Sequence, residues 1–391
     1  MESKMNVPFF KASVGKEEEE AVLRVMRSGW LTTGKEALAF EKEFAQKINV
    51  PYALCVNSNT SGMILAMEAC GIGNGDAVIT TPYTFVSTAT SARHLNADVY
   101  FADIEEDTYS ISPESIEKIL KSPRGKNVKA IVPVHIAGNV CNMQKIMALA
   151  KKYNVRVIED CAHSFPSPTD MGYAGSIGDI GVFSFYATKT ITSAEGGMVT
   201  TKDPELAKRM TVMRMHGMDR TTWDRYTSPR ASWEYDIIAP GFKFNLPDIL
   251  ASLGRVQLSR AEEFDSKRKI HVQKYNEAFS KLDFVTLPPD SKGNAWHLYL
   301  LRLNLDKLNC DRNTFAKELQ EKGLGISMHF LPLFHFTYWK KLYPDFTPEN
   351  FPNAQKQYSR TISLPLWPDM SDEMVSYVIE CVTETGSAHH A

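Results

Sequence analysis

Between residues 52 and 201, short apolar runs rich in β-branched residues alternate with stretches of helical periodicity, and that alternation leaves few folds open. Strand-like runs fall at 52–56, 77–80, 98–102, 128–134, 155–159, 180–185 and 197–201. Helical patterns lie between them at 61–70, 85–94, 113–121 and 142–153, the third with Ser112 as cap and Pro113 in its first position. Strands that are apolar along their whole length and joined by helices form a mostly parallel sheet covered on both faces. The expectation is an α/β chain whose large domain is built on such a sheet.

After Asn245-Leu246-Pro247-Asp248 the pattern becomes one long charged helix reaching about residue 282. A strand at 296–305 and a helix at 312–322 then read as a smaller α/β domain. The expected division is 1–255 for the large domain with its N-terminal segment, 256–385 for the small one, and 386–391 as a tail. A chain of 391 residues, 43% hydrophobic, can fill two such cores. The formal net charge of −2 gives no electrostatic reason to expect nucleic acid or an anionic membrane as partner. Six scattered cysteines without a C-x-x-C pair fit packed, reduced thiols better than a disulfide frame or a zinc site. No run reaches the ~18 apolar residues of a membrane span, and the start lacks an apolar leader. A soluble cytoplasmic protein without a bound metal is expected.

Two charges stand out. Lys189 ends Phe183-Ser184-Phe185-Tyr186-Ala187-Thr188-Lys189, and Asp160 ends Val155-Arg156-Val157-Ile158-Glu159-Asp160. Both follow apolar runs, where an unpaired charge is costly. Burial lowers the pKa of a lysine and makes it a usable nucleophile and base. An acid just beyond a buried parallel strand lies where open α/β sheets bind ligands. A Schiff-base lysine and an aspartate on a pyridinium nitrogen are what pyridoxal phosphate chemistry asks of a protein.

The neighbouring residues each admit two readings. Val56-Asn57-Ser58-Asn59-Thr60-Ser61-Gly62 joins a strand to a helix, where free N–H groups cradle a phosphate, or where Ser58, Asn59 or Thr60 simply caps the helix. Phe85, just past a strand end, either stacks on a flat ring or packs in the core. His163 either bonds a cofactor or Asp160, or is a satisfied structural histidine. Ser184 is placed to reach the same phosphate as the turn, and Gly196-Gly197 lets backbone approach closely. Gly71-Ile72-Gly73-Asn74-Gly75-Asp76 mimics a dinucleotide fingerprint but follows a helix and precedes a strand, so it reads as a turn.

In order along the chain, these stretches resemble the pyridoxal-phosphate-dependent nucleotide-sugar aminotransferases of the DegT/StrS type. The matching stretches are Gly29-Trp30-Leu31-Thr32-Thr33-Gly34, Ser58-Asn59-Thr60, Thr81-Pro82-Tyr83-Thr84-Phe85, Val134-His135 and Ile158-Glu159-Asp160-Cys161-Ala162-His163. The lysine motif follows, with Glu195-Gly196-Gly197-Met198, Gly241-Phe242-Lys243-Phe244-Asn245 and Ser363-Leu364-Pro365-Leu366, so the resemblance spans about residues 7–383. It implies the type I fold of pyridoxal-phosphate-dependent transferases, like aspartate aminotransferase.

By resemblance, Lys189 is the Schiff-base lysine and Asp160 the pyridinium partner. Phe85 stacks on the ring, His163 neighbours the ring or its hydroxyl, and Thr60, Ser61 and Ser184 contact the phosphate. Asn245 matches an asparagine that reaches the phosphate from the second subunit, which implies a homodimer with shared sites. Trp30, Tyr186, Arg230 and His329 are candidate substrate contacts, and Arg220, Arg225 and Arg230 are candidates to grip a diphosphate. Met215-His216-Gly217 and Ala239-Pro240-Gly241 most resemble the branch acting on UDP-4-keto sugars, which includes the enzyme making UDP-4-amino-4-deoxy-L-arabinose. The implied reaction moves the amino group of L-glutamate to a nucleotide keto-sugar, releases 2-oxoglutarate, and serves cell-surface polysaccharide or lipid modification. Two departures stand against it: Asn59 replaces a common glycine, and residues 164–171 lack the usual small-residue pattern. The rival readings are a sugar dehydratase, whose relatives carry histidine in place of the lysine, and a non-catalytic sensor of the same fold.

Overall fold

In the computed structural model, which describes residues 5–219 and 234–391, the strand periodicity becomes a sheet with two apolar faces. Two helices come first, α1 (Lys16–Ser28) and α2 (Lys35–Ile48). Then β1 (Tyr52–Val56), α3 (Asn59–Ala69), β2 (Ala77–Thr80), α4 (Val86–His94), β3 (Asp98–Phe101), α5 (Pro113–Lys121), β4 (Val128–Ile131), α6 (Met143–Tyr153) and β5 (Arg156–Asp160) follow in alternation. A small hairpin, β6 (Pro168–Thr169) and β7 (Gly172–Tyr173), precedes β8 (Ile180–Ser184), β9 (Gly197–Thr201) and α7 (Pro204–Met213).

The seven-stranded sheet has the order β1-β9-β8-β5-β4-β2-β3. Strands β3, β2, β4, β5 and β8 are parallel, and β9 runs antiparallel to both of its neighbours. Alternate side chains serve opposite faces, as a period of two requires. Val56, Val78, Ile158, Val182 and Val199 enter one core with Met63 and Leu65 of α3. Cys55, Phe183 and Met198 meet Phe40 and Phe44 of α2 on the other face, where Ile79, Ile131 and Val157 meet Ile146 of α6. Each such buried aliphatic side chain contributes about 1.5–3 kcal/mol. Helix α3 lies so close to the sheet that a Cβ on Gly62 would stand 2.7 Å from Val182 Cγ1. Because the parallel strands point one way and β9 the other, residues 57–60, 81–85, 160–163, 184–189 and 195–196 gather at one edge.

The single long helix expected after residue 248 is two helices, α8 (Asp248–Ser259) and α9 (Ala261–Phe279), with a corner at Arg260 (φ −97°, ψ 4°). The turn lets one charged stretch serve two cores: α8 buries Ala251 and Leu258 beside Phe40, whereas α9 carries Val272, Tyr275 and Phe279 to the second one. The boundary expected at residue 255 falls inside α8. That second core lies on an antiparallel sheet of β10 (Val285–Thr286), β11 (Tyr299–Leu303) and β12 (Thr361–Leu364). Helices α10 (Arg312–Glu321), α11 (Thr337–Leu342), α12 (Pro352–Arg360) and α13 (Asp372–Ala388) complete the described chain. The strand expected from residue 296 begins only at Tyr299, because Trp296 is left-handed (φ 45°). Residues 386–391 are not a loose tail: α13 continues to Ala388, His390 Nε2 meets Asp283 at 2.9 Å, and Ala391 N donates to Lys307 O at 2.9 Å. Val7 joins this half as well, bonded through Gly323 O (3.0 Å) and Gly325 N (2.7 Å). No helix among the described residues is long and apolar enough to cross a membrane.

Helix α2 is capped from far along the chain. The buried carboxylate of Asp248 accepts the N–H groups of Gly34 (2.7 Å), Ala37 (3.0 Å) and Glu36 (3.2 Å). Gly34, at the cap position, has no side chain to do this itself. Replacing Asp248 with alanine leaves three buried donors unpaired and should cost about 2–4 kcal/mol. The expected signature is a lower denaturant midpoint at constant m; an unchanged midpoint would contradict this capping role.

Candidate active site

A cavity of about 410 Å³ opens at the edge where the strand ends gather. Of the residues expected there, Thr60, Phe85, Asp160, His163, Ser184, Tyr186, Lys189 and His329 line it. Ser61 and Trp30 do not, and Asn245, expected at the second subunit's site, lies outside this chain's own cavity. Ser61 is buried in the first turn of α3, its hydroxyl donating to Asn57 Oδ1 at 2.6 Å. Trp30 and Asn245 meet at Thr33, through Trp30 Nε1 to Thr33 O (3.3 Å) and Asn245 Nδ2 to Thr33 Oγ1 (2.6 Å). Arg220, Arg225 and Arg230 lie outside the described residues.

Lys189 ends a tight turn closed by its own N–H to Tyr186 O at 2.9 Å. Burial lowers its pKa from 10.5 to about 8, against the opposing pull of the Asp160 charge. The Nζ atom has no hydrogen bond or ion pair among the described residues, so a nucleophile of reduced basicity faces open space. In the cofactor-free protein, acylation of Lys189 should therefore accelerate as pH rises through about 8, because only the neutral amine reacts. Peptide mapping after a pulse of reagent reads this out. A midpoint at the ordinary lysine value, near 10.5, would refute it.

Asp160 is 3% exposed and fully engaged. Its Oδ2 accepts Thr88 Oγ1 at 2.7 Å, and its Oδ1 accepts Asn59 Nδ2 at 3.3 Å and Ala162 N at 3.2 Å. Asn59, the departure from glycine, thus acts as a strut: the same amide also donates to Val182 O at 3.1 Å. Ser58 is the cap of α3, its Oγ accepting Ser61 N at 3.1 Å. The capping reading and the anion-cradle reading are compatible, because the first N–H groups of the helix stay at the cavity beside Thr60 and Ser184. Gly197 comes so close to this turn that a Cβ would stand 2.8 Å from Ser58 C and 2.9 Å from Asn59 N.

His163 does not bond Asp160. Its Nδ1 accepts Ala137 N at 3.2 Å, and burial together with the Lys189 charge drives its pKa well below 6.5. The neutral ring must then carry its proton on Nε2. Phe330 stacks on it (5.6 Å, 21°) and Phe9 stacks on His329 (5.7 Å, 21°), so an aromatic wall runs along one side. His329 pairs with Ser363 Oγ at 2.9 Å, and burial lowers its pKa to about 4. Phe85, 58% exposed, sits at the rim 6.2 Å from Phe330.

Thr88, Phe9, Phe330 and His297 belong to the site but escaped the sequence reading. Thr88 had a signal in Thr84-x-x-x-Thr88, one helical turn apart with hydroxyls 2.9 Å from each other. The others carry none. A buried trio, His135, Glu159 and Cys161, also lies together with ligand atoms within 4.8 Å. Its bonds are internal: Glu159 accepts His135 Nε2 (3.0 Å) and the N–H groups of Gly175, Ile177 and Gly178, tying that loop to β5.

Residues 12–383 match the model of the DegT/DnrJ/EryC1/StrS aminotransferase family. The chain is 41% identical to the spore coat polysaccharide biosynthesis protein SpsC of Bacillus subtilis over 381 residues, 97% of this chain and 96% of SpsC. It is similar in structure to PseC of Helicobacter pylori, an aminotransferase of pseudaminic acid biosynthesis, with a TM-score of 0.90 at 29% identity, covering 98% of this chain and 100% of PseC. Spr1654 of Streptococcus pneumoniae, assigned as a sugar aminotransferase, matches in its PMP form with a TM-score of 0.90 at 29% identity, covering 98% of this chain and 100% of that one. The PLP form of Spr1654 matches with a TM-score of 0.89.

Proposed function

The chain belongs to the DegT/DnrJ/EryC1/StrS aminotransferase family, whose members depend on pyridoxal phosphate, and from that premise we propose that it moves the amino group of L-glutamate to a nucleotide keto-sugar. The acceptor in this reading is a UDP-4-keto sugar, and the amino sugar formed goes to a cell-surface polysaccharide or lipid. What supports the sugar is the company of SpsC and PseC. The cytoplasm, a homodimer with Asn245 serving the partner's site, and the division near residue 255 belong to the same proposal.

The observation that carries it is the pairing inside one cavity of a partnerless Lys189 amine with a fully bonded Asp160. The residues fit the cofactor: an amine to join it, an acid to face a ring nitrogen, and a helix start with hydroxyls for a phosphate. When bound, pyridoxal phosphate supplies an electron-accepting ring that eases loss of a proton from the amino-bearing carbon. Lys189 takes and returns that proton, and its pKa of about 8 suits a base working near neutrality. Asp160 contributes a fixed charge whose orientation Thr88, Asn59 and Ala162 set in advance. Thr60 and Ser184, with the first N–H groups of α3, would hold the anionic end, while Phe85 and Phe330 would exclude water.

The test is a panel of nucleotide keto-sugars incubated with ¹⁵N-labelled L-glutamate. Label in the sugar and an equal yield of 2-oxoglutarate is the expected outcome. Label released as ammonia and absent from the sugar, with 2-oxoglutarate still formed, would replace transamination with dehydration.

A further inference from the structure

His297 lies at the start of a run that fails to become strand. Trp296 beside it is held in a left-handed conformation that a bulky residue adopts only under constraint. The constraint is visible: Trp296 N donates to Asn294 Oδ1 (2.9 Å), Ala295 N to Gly138 O (3.2 Å) and Leu298 N to Ala137 O (3.3 Å). Ala137 also donates its own N–H to His163. One turn therefore fixes two imidazoles, whose centroids are 4.4 Å apart on the cavity wall.

His297 is 6% exposed, and neither ring nitrogen has a hydrogen bond among the described residues. Its Nδ1 is fully enclosed. Burial, with His163 and Lys189 adding to it, keeps the ring neutral at physiological pH. An enclosed N–H without acceptor is costlier than an enclosed lone pair, so the proton belongs on Nε2. Away from the start of α3, the described lining offers little to a second anion. Among the described residues lining it, Lys189 is the one cation, Asp160 and Glu195 are acids, and no arginine appears.

Resting on the aminotransferase reading above, we propose that His297 is a specificity-determining residue whose Nε2–H binds a carboxylate of the amino-acid donor. A hydrogen bond to a carboxylate is of the stronger, charge-assisted kind, and it satisfies a residue the fold holds in readiness.

The test uses the holoenzyme in single-turnover reactions with L-glutamate, followed by the cofactor's absorbance, and titration of the pyridoxamine form with 2-oxoglutarate by calorimetry. His297→Phe should raise the half-saturating L-glutamate concentration and weaken 2-oxoglutarate binding by about 10- to 100-fold, leaving the maximal rate within about threefold. His297→Gln, which keeps a donor, should recover most of that loss. A folding defect cannot mimic the second readout, which is selectivity within one protein. The preference for L-glutamate over 4-aminobutyrate should collapse in His297→Phe if the α-carboxylate is bound, and that over L-2-aminobutyrate if the side-chain carboxylate is bound. Unchanged half-saturation and unchanged preferences overturn the proposal. A wild-type enzyme inert toward L-glutamate would instead sink the transamination reading.

Discussion

Lys189→Ala is expected to lower transamination by at least about 10⁴-fold, because one substitution removes both the nucleophile and the base. Stability should not fall with it. The Nζ atom gives up no hydrogen bond or ion pair among the described residues, and removing a cation whose burial outweighs the pull of Asp160 relieves a desolvation cost. The variant is thus expected to unfold at the same midpoint as the parent or above it. Small primary amines such as methylamine should restore part of the activity, because the space vacated opens on the cavity. Lys189→Arg, which cannot lose its proton near neutrality, should be neither active nor rescued. Activity within tenfold of wild type in Lys189→Ala would remove the residue from the chemistry.

Asp160→Asn is expected to cost about 10²–10³-fold in kcat through the loss of a preorganised charge. The hydrogen-bond network allows this substitution to isolate the charge. Both carboxylate oxygens accept bonds, so an amide at this position turns a donor toward one of them. Thr88 can absorb the reversal. Its hydroxyl lies 2.9 Å from that of Thr84, and it can pass its hydrogen there while accepting from the new amide. Turnover should therefore fall while the unfolding midpoint moves little. A variant with normal kcat but weakened cofactor binding would show that Asp160 is an anchor and not an electrostatic partner.

Much of this was legible in the chain, and for a physical reason. A sheet buried on both faces needs runs that are apolar throughout, and those runs are visible without knowing their partners. Ser112 and Pro113 announce α5, and Ser112 Oγ does accept Ser115 N at 3.2 Å. Lys189 and Asp160 were visible because charge after an apolar run is locally anomalous. What escaped depends on distant partners. Asn59 looked like a flaw in a glycine turn because its carboxylate partner lies 101 residues away, and Thr88 meets that acid across 72. The corner at Arg260 is hidden because helical periodicity continues through it, and only the two separate cores demand the turn. Trp296 and His297 read as strand because the bonds that hold them otherwise come from Ala137 and Gly138. His390 read as frayed for the same reason, its Asp283 lying 107 residues back.

The long reach of Asp248 has a consequence for how the protein is made. The Gly34 N–H that it caps leaves the ribosome 214 residues earlier. Strand β1 likewise waits at the sheet margin for β9, since Tyr52 pairs with Thr201. At a synthesis rate of about 5–20 residues per second, the first helices remain unfinished for roughly 10–40 s. Over that interval, Phe40 and Phe44 are exposed to chaperones, proteases and neighbouring nascent chains. A gene truncated before codon 248 therefore yields no smaller enzyme, only a substrate for degradation.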